Sequence, residues 1–163
     1  MYTSYREETM YTSSVQGDKI EIFENVSGDK EYIIDVSPEG TYRIRPENHP
    51  CHDMSFSVIN KDENFKLIKD PSVTAQFDMD KIKFPLKLRN WKKGDKFKPI
   101  GMKGSKLLSD FFNDLGFSTY QKQNVWIMED SNGLILWVVG YRISDKVKII
   151  DSTKVIFQCD LEH

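Results

Sequence analysis

Gly101-Met102-Lys103-Gly104-Ser105-Lys106 gathers two glycines, two lysines and a hydroxyl side chain immediately ahead of an apolar stripe, a combination that can hold an anion. Free backbone N–H groups at a helix mouth and the helix dipole both favour negative charge. Ser105 has a suitable side chain to cap such a helix. The segment is not a nucleotide P-loop, which places four residues between its glycines where this chain has two. The plainer alternative is a glycine turn carrying solvated lysines, and spacing alone leaves both open.

The same lysines belong to a wider set. Arg89, Lys92, Lys93, Lys96, Lys98, Lys103, Lys106 and Lys122 follow one another with Trp91 and Phe97 interleaved. Within residues 81–122, eleven lysines and arginines stand against three acids, Asp95, Asp110 and Asp114, a net of +8 that leaves the other residues at −10. The total of −2 therefore hides a basic segment in an acidic body, an asymmetry that points to a polyanionic partner. Cations spread along a chain suit a row of phosphates better than one small anion, because each phosphate neutralised releases counterions. Aromatics beside them could stack on an exposed base. The alternative is a solvated charged face with Trp91 packed inside.

Other chemistries find less support. His49-Pro50-Cys51-His52-Asp53 holds three possible imidazole or thiol metal ligands, but a structural zinc site of that kind needs four and no second cluster supplies the rest. An exposed loop and no metal are expected there. No nucleophile elbow is present and no carboxylate pair stands out, so no catalytic residue is assigned. Cys51 and Cys159 lie far apart and read as free thiols in a reducing compartment. No apolar run reaches the ~20 residues that span a bilayer and no secretory signal opens the chain, so a cytoplasmic protein without membrane contact is expected.

The elements that must position the basic run are mostly strands. Period-two alternation predicts strands over 19–23, 32–36, 41–44, 54–59, 73–77 and 86–89, with turns at Ser27-Gly28-Asp29 and Ser37-Pro38-Glu39-Gly40. One helix is expected over 106–115, with Leu107, Leu108, Phe111, Phe112 and Leu115 on its apolar face, Ser105 as cap and Gly116 just beyond its end. Residues 124–128 and 134–139 flank an Asn132-Gly133 hairpin signal. Residues 147–150 and 154–158 complete the strands. Acidic sequence gives way to basic near 78–84, which predicts a β-rich region over 1–80 and a separate unit over 81–158. Leu161-Glu162-His163 read as a cloning scar and the start of a histidine tag, and the chain as a piece of something longer.

Leu86-Lys87-Leu88-Arg89-Asn90-Trp91-Lys92-Lys93-Gly94-Asp95, Pro99-Ile100-Gly101-Met102-Lys103-Gly104, Leu108-Ser109-Asp110-Phe111-Phe112 and Ile135-Leu136-Trp137-Val138-Val139-Gly140-Tyr141-Arg142-Ile143 agree in order and spacing with a known family. Together they resemble the C-terminal domain of bacterial tRNA(Ile)-lysidine synthetase. Residues 75–85 look like the entry to that domain. The resemblance implies a mainly β, α+β fold: a layered β-sandwich of the kind shared with a domain of phenylalanyl-tRNA synthetase, with one main helix near 106–115.

Full-length members of that family adenylate the wobble cytidine of an isoleucine tRNA with ATP and displace AMP with lysine. By resemblance that chemistry, with its ATP and Mg, belongs to an N-terminal domain carrying an SGGxDS loop, so residues 1–163 should bind no cofactor and catalyse nothing alone. The resemblance instead implies a tRNA-binding module that grips the acceptor-stem side. Arg89, Lys92, Lys93, Lys96, Lys98, Lys103, Lys106, Lys122 and Arg142 would meet phosphates, while Gly94, Asp95, Gly101 and Gly104 shape the backbone. Lys122 stands where many relatives carry Arg, and offers a point charge in place of a bidentate clamp. Partners would be isoleucine tRNA, the N-terminal catalytic domain and a possible second copy. The rival is an architectural module that docks on the catalytic domain or dimerises without touching RNA.

Overall fold

The structure, a computed structural model, describes residues 10–11, 19–24, 30–35, 43–44, 53–70 and 72–162. Its strands are β1 (Met10–Tyr11), β2 (Lys19–Glu24), β3 (Lys30–Asp35), β4 (Arg43–Ile44), β5 (Asp53–Asn60), β6 (Thr74–Asp78), β7 (Leu86–Asn90), β8 (Lys96–Phe97), β9 (Lys106–Leu107), β10 (Trp126–Glu129), β11 (Ile135–Val138), β12 (Arg142–Ile143) and β13 (Val155–Glu162). Two short helices, α1 (Leu108–Asp114) and α2 (Thr119–Gln123), lie between β9 and β10. Among the described residues these strands form a five-stranded sheet, β1-β4-β5-β13-β6, a six-stranded sheet, β12-β11-β10-β7-β3-β2, and the small β8-β9 pair. The expected turns at 27–29 and 37–40 and the His49-Cys51-His52 cluster lie outside the described residues.

The six-stranded sheet is buried on both faces where the basic run is anchored. Along β10, Trp126 and Met128 enter the core between the two large sheets, while Ile127 and the preceding Val125 enter a second cluster on the opposite face. That alternation is the two-residue period of a pleated strand. β11 departs from it: the register against β10 shifts between Met128 and Glu129, and Leu136 and Trp137 both reach the inter-sheet core while Ile135 and Val138 face the second cluster. α1 covers that second face with Leu108, Phe111 and Phe112. The result is the expected mainly β, layered fold: sheet, sheet, helix.

Aromatics dominate the inter-sheet core. Phe157 stacks on Phe56 at 5.7 Å between ring centroids and meets Phe84 edge-on at 5.3 Å, and Phe77 meets Trp137 edge-on at 6.3 Å. Each fully buried ring removes enough apolar surface to contribute about 2–3 kcal/mol. On the outer face of β6 and β13, Thr74 donates to Asp160 and Gln76 to Gln158, both at 2.8 Å.

The structure revises three expectations and adds to a fourth. Pairing crosses the proposed boundary at 78–84, because β3 pairs with β7, and β13 pairs with both β5 and β6. Residues 147–150 form no strand: Asp145–Val147 is a 3-10 turn. Leu161, read as the start of a cloning scar, lies in β13 opposite Met54 and is 6% exposed within the core, so it takes part in the fold whatever its origin. The helix begins at Leu108, not Lys106, because Lys106 and Leu107 are held extended by pairing with Phe97 and Lys96. Leu107 and Leu115, both expected on the apolar face, are exposed, at 40% and 43%. At the other end Leu115 closes the helix and Gly116 follows at φ +73°, the left-handed residue that a helix terminus favours.

Candidate nucleic-acid interface

β7 sends Leu86 and Leu88 into the inter-sheet core and sets Arg89 on the other face, opposite Ile127. There Arg89 is 8% exposed. Its Nη1 and Nη2 each donate to Asp95 at 3.0 Å, Nε and Nη2 donate to Glu129 at 2.9 and 3.2 Å, and Nη1 also donates to the Asn90 carbonyl at 3.0 Å. All five guanidinium N–H groups are thereby used. Burial works against the charge, but the hydrogen bonds donated to Asp95 and Glu129 outweigh it and hold the guanidinium pKa above its ordinary value. No donor is left for a phosphate, so Arg89 is corrected from an RNA contact to an internal clamp.

Asp95 is the joint that this clamp grips. Its carboxylate accepts the Lys92 N–H at 2.6 Å, its own N–H donates to the Lys92 carbonyl at 3.0 Å, and its carbonyl accepts the Leu108 N–H at 2.8 Å. One acid thus closes the turn over residues 92–95 and ties it to the start of α1. Gly94 takes φ +96° within that turn, where a side chain would be strained.

The loop over residues 98–105 is held from the opposite end of the sequence. Ile100 N–H donates to Ile143 at 3.0 Å, Asp145 N–H donates to Lys98 at 2.8 Å, and the Asp145 carboxylate meets Lys148 Nζ at 3.0 Å, Gly101 N–H at 3.3 Å and Lys98 Nζ at 3.4 Å. Lys148 first, then the Gly101 N–H, with Lys98 adding to them, hold the Asp145 carboxyl below its ordinary value. The expected anion cradle at residues 101–106 does not form. The Gly101 N–H is occupied by Asp145, no side chain caps α1, and two strand residues separate Ser105 from the helix. Gly104 has no positive φ and open space where a Cβ would sit, so nothing there demands glycine.

The remaining cations gather about α1. Lys106 is ion-paired with Asp114, Lys122 Nζ donates to Asn113 at 2.6 Å, and the Arg142 guanidinium lies 5.5 Å from the centre of the Phe111 ring. Lys96 sits opposite Leu107, one residue before the helix. Lys92, Lys93, Lys96 and Lys103 are exposed, and their side-chain ammonium groups have no hydrogen-bond or ion-pair partner among the described residues. Carboxylates therefore engage three members of the expected set, Arg89, Lys98 and Lys106. Trp91 is half-buried, edge-on to Phe112 at 5.0 Å, with Nε1 donating to the Lys122 carbonyl at 2.6 Å.

Sequence reasoning missed three contributors. Glu129 and Asp145 lie 40 and 44 residues from the groups they hold, Arg89 and Gly101, and no local pattern signals either. α2 did have a signal: Ser118 and Gln121 form a reciprocal capping box at its start, the Ser-x-x-Gln spacing of such a box. Among the described residues no group of three or more His, Cys, Asp or Glu could hold a metal ion, and no helix is long and apolar enough to cross a membrane.

Residues 86–158 match the family model described as the TilS substrate C-terminal domain. The tRNA(Ile)-lysidine synthase of Parabacteroides distasonis is 38% identical over 133 residues, covering 77% of this chain and 30% of that protein. That of Bacteroides thetaiotaomicron is 33% identical over 114 residues, covering 68% and 26%. The chain thus spans less than a third of the length of either relative. A crystal structure of a TilS C-terminal domain superposes with a TM-score of 0.62 at 19% identity, over 81% of this chain and 96% of that one, which establishes a common fold. A phenylalanyl-tRNA synthetase β-subunit fragment from Pyrococcus horikoshii reaches a TM-score of 0.49 at 25% identity, over 55% of this chain and 28% of that one. Through residues 86–158, where the Arg89–Asp95 clamp, the lysine turn and the helix-covered face all lie, this chain belongs to the family of TilS C-terminal domains.

Proposed function

We propose that the chain is the tRNA-recruiting part of a tRNA(Ile)-lysidine synthase and grips the acceptor-stem side of the tRNA. Cytidine modification, with its ATP, Mg and lysine, then falls to an N-terminal catalytic domain. The observation that carries this reading is the state of the Lys92, Lys93, Lys96 and Lys103 side chains, exposed and without internal partners among the described residues, in a segment matching the family. Unpaired lysines keep their charge available to phosphates, whereas a paired cation would first have to surrender its carboxylate. Duplex RNA hides its major-groove base edges in a deep narrow groove, so phosphates and the 2′-hydroxyls of the shallow minor groove are what such a surface chiefly reaches. α1 itself exposes Asp110, Asn113 and Asp114. The RNA is therefore met by the turn at 92–96 and the loop at 103, beside the helix and not on it.

Purified chain titrated with isoleucine tRNA and with an unrelated tRNA at two salt concentrations tests this. Tighter binding of isoleucine tRNA, weakening as salt rises, is expected. Absence of binding at low salt, with self-association alone in sizing experiments, would replace it with the architectural role.

A further inference from the structure

We infer that a cleft walled by Trp91, beside the lysine turn, receives an unstacked nucleobase of the bound RNA. This rests on the proposed RNA contact but concerns a different ligand group, a base in place of a phosphate. The cleft is shallow and open to solvent, with a volume of about 300 Å³, and is lined by Asn90, Trp91, Thr119, Lys122 and Gln123.

Its parts suit a base. Trp91 cannot swing away, because its Nε1 is tied to the Lys122 carbonyl at 2.6 Å and its ring rests edge-on against Phe112. An aromatic wall held in place offers stacking to any base. Around it stand polar groups with spare capacity. Asn90 spends its amide N–H on the Val125 carbonyl at 3.2 Å, which points its Oδ1 elsewhere. Thr119 and Gln123 are exposed and their side chains have no partner among the described residues. Donors and acceptors beside a stacking surface are what reads an exposed base edge. Lys122 adds a cation whose Nζ rests on a neutral amide, Asn113, and so stays available to the attached phosphate. The capping box of α2 fixes the helix that carries Thr119, Lys122 and Gln123. Paired bases are inaccessible in a duplex, so the base must come from an unpaired end or a bulge.

The test compares three RNA hairpins of identical stem: blunt-ended, with a four-nucleotide 3′ tail, and with a single-nucleotide bulge. Affinity is read by anisotropy and contact by tryptophan emission. Of the three tryptophans, Trp126 and Trp137 are 2% and 0% exposed, so quenching by a base reports Trp91. The tailed or the bulged hairpin is expected to bind about tenfold tighter than the blunt one, within the range for one base stacked on an aromatic side chain, and to quench emission. Whichever does so identifies the source of the base. The double variant Thr119→Ala, Gln123→Ala, altering two exposed side chains, should reduce that advantage to about threefold and leave blunt-hairpin binding unchanged. Equal affinities for all three hairpins, or tighter binding without quenching, would overturn the base site while sparing the phosphate contacts. Failure of every hairpin to bind would overturn both.

Discussion

The two faces of the six-stranded sheet are built differently. One meets the second large sheet through fully buried aromatics, with Phe56, Phe77, Trp137 and Phe157 all at 0% exposure. The other is covered by a seven-residue helix and ringed by cations, with Trp91 only half-buried. A core sealed between sheets can hold the fold without help from the surface. A short helical roof cannot, and here it is tied down by polar joints, Asp95 at its start and Lys106–Asp114 and Lys122–Asn113 along it. Stability is thus concentrated on one face, which leaves the other to carry an interface.

Substitutions can break this contrast in graded steps. Phe157→Ala, in the sealed core, should cost about 3–5 kcal/mol, read as a lowered denaturant midpoint for the whole chain. Asp95→Ala should cost about 3 kcal/mol, because Arg89 stays buried with half its carboxylate partners removed; loss of amide-exchange protection should centre on the 92–95 turn and the first turn of α1. Gly94→Ala forces a side chain into φ +96°, which should cost about 1–2 kcal/mol without altering the sheet–sheet core, as the near-ultraviolet dichroism of Trp126 and Trp137 will show.

A pH titration sharpens the picture without a mutation. The Asp145 carboxyl ionises more readily in the folded chain than its ordinary value of 3.8. Its hold on the 98–102 loop is therefore fully present above that value and lost as pH falls through the lowered folded value. The Gly101 amide resonance should shift only at pH below the range of a free carboxylate.

Much of the sealed face was legible in the sequence. Alternation in residues 54–59 and 86–89 and the Asn132-Gly133 turn signal place β5, β7 and the β10–β11 hairpin correctly, because the pleat requires that alternation in half-buried strands. The helical face was less legible. The apolar spacing of Leu108, Phe111 and Phe112 is real, but a nonlocal pairing with Lys96 and Phe97 takes residues 106–107 out of the helix and removes Ser105 from its cap position. Arg89 looks like one more cation in a basic run. Its burial depends on Glu129, 40 residues away, and on Asp95, which a turn returns to it. The site's shape therefore comes from acids within and beyond the basic run, while the free charge comes from the lysines the run displays.

The salt dependence of isoleucine tRNA binding tests this division most directly, measured for the unaltered chain and for Lys92→Ala, Lys93→Ala, Lys96→Ala, Lys103→Ala combined. Surface changes of this kind should leave folding stability within about 0.5 kcal/mol per site, while the slope of log affinity against log salt should fall by about three to four. An unchanged slope in a variant that still folds would contradict the account, since the unpaired lysines would then not be what meets the RNA.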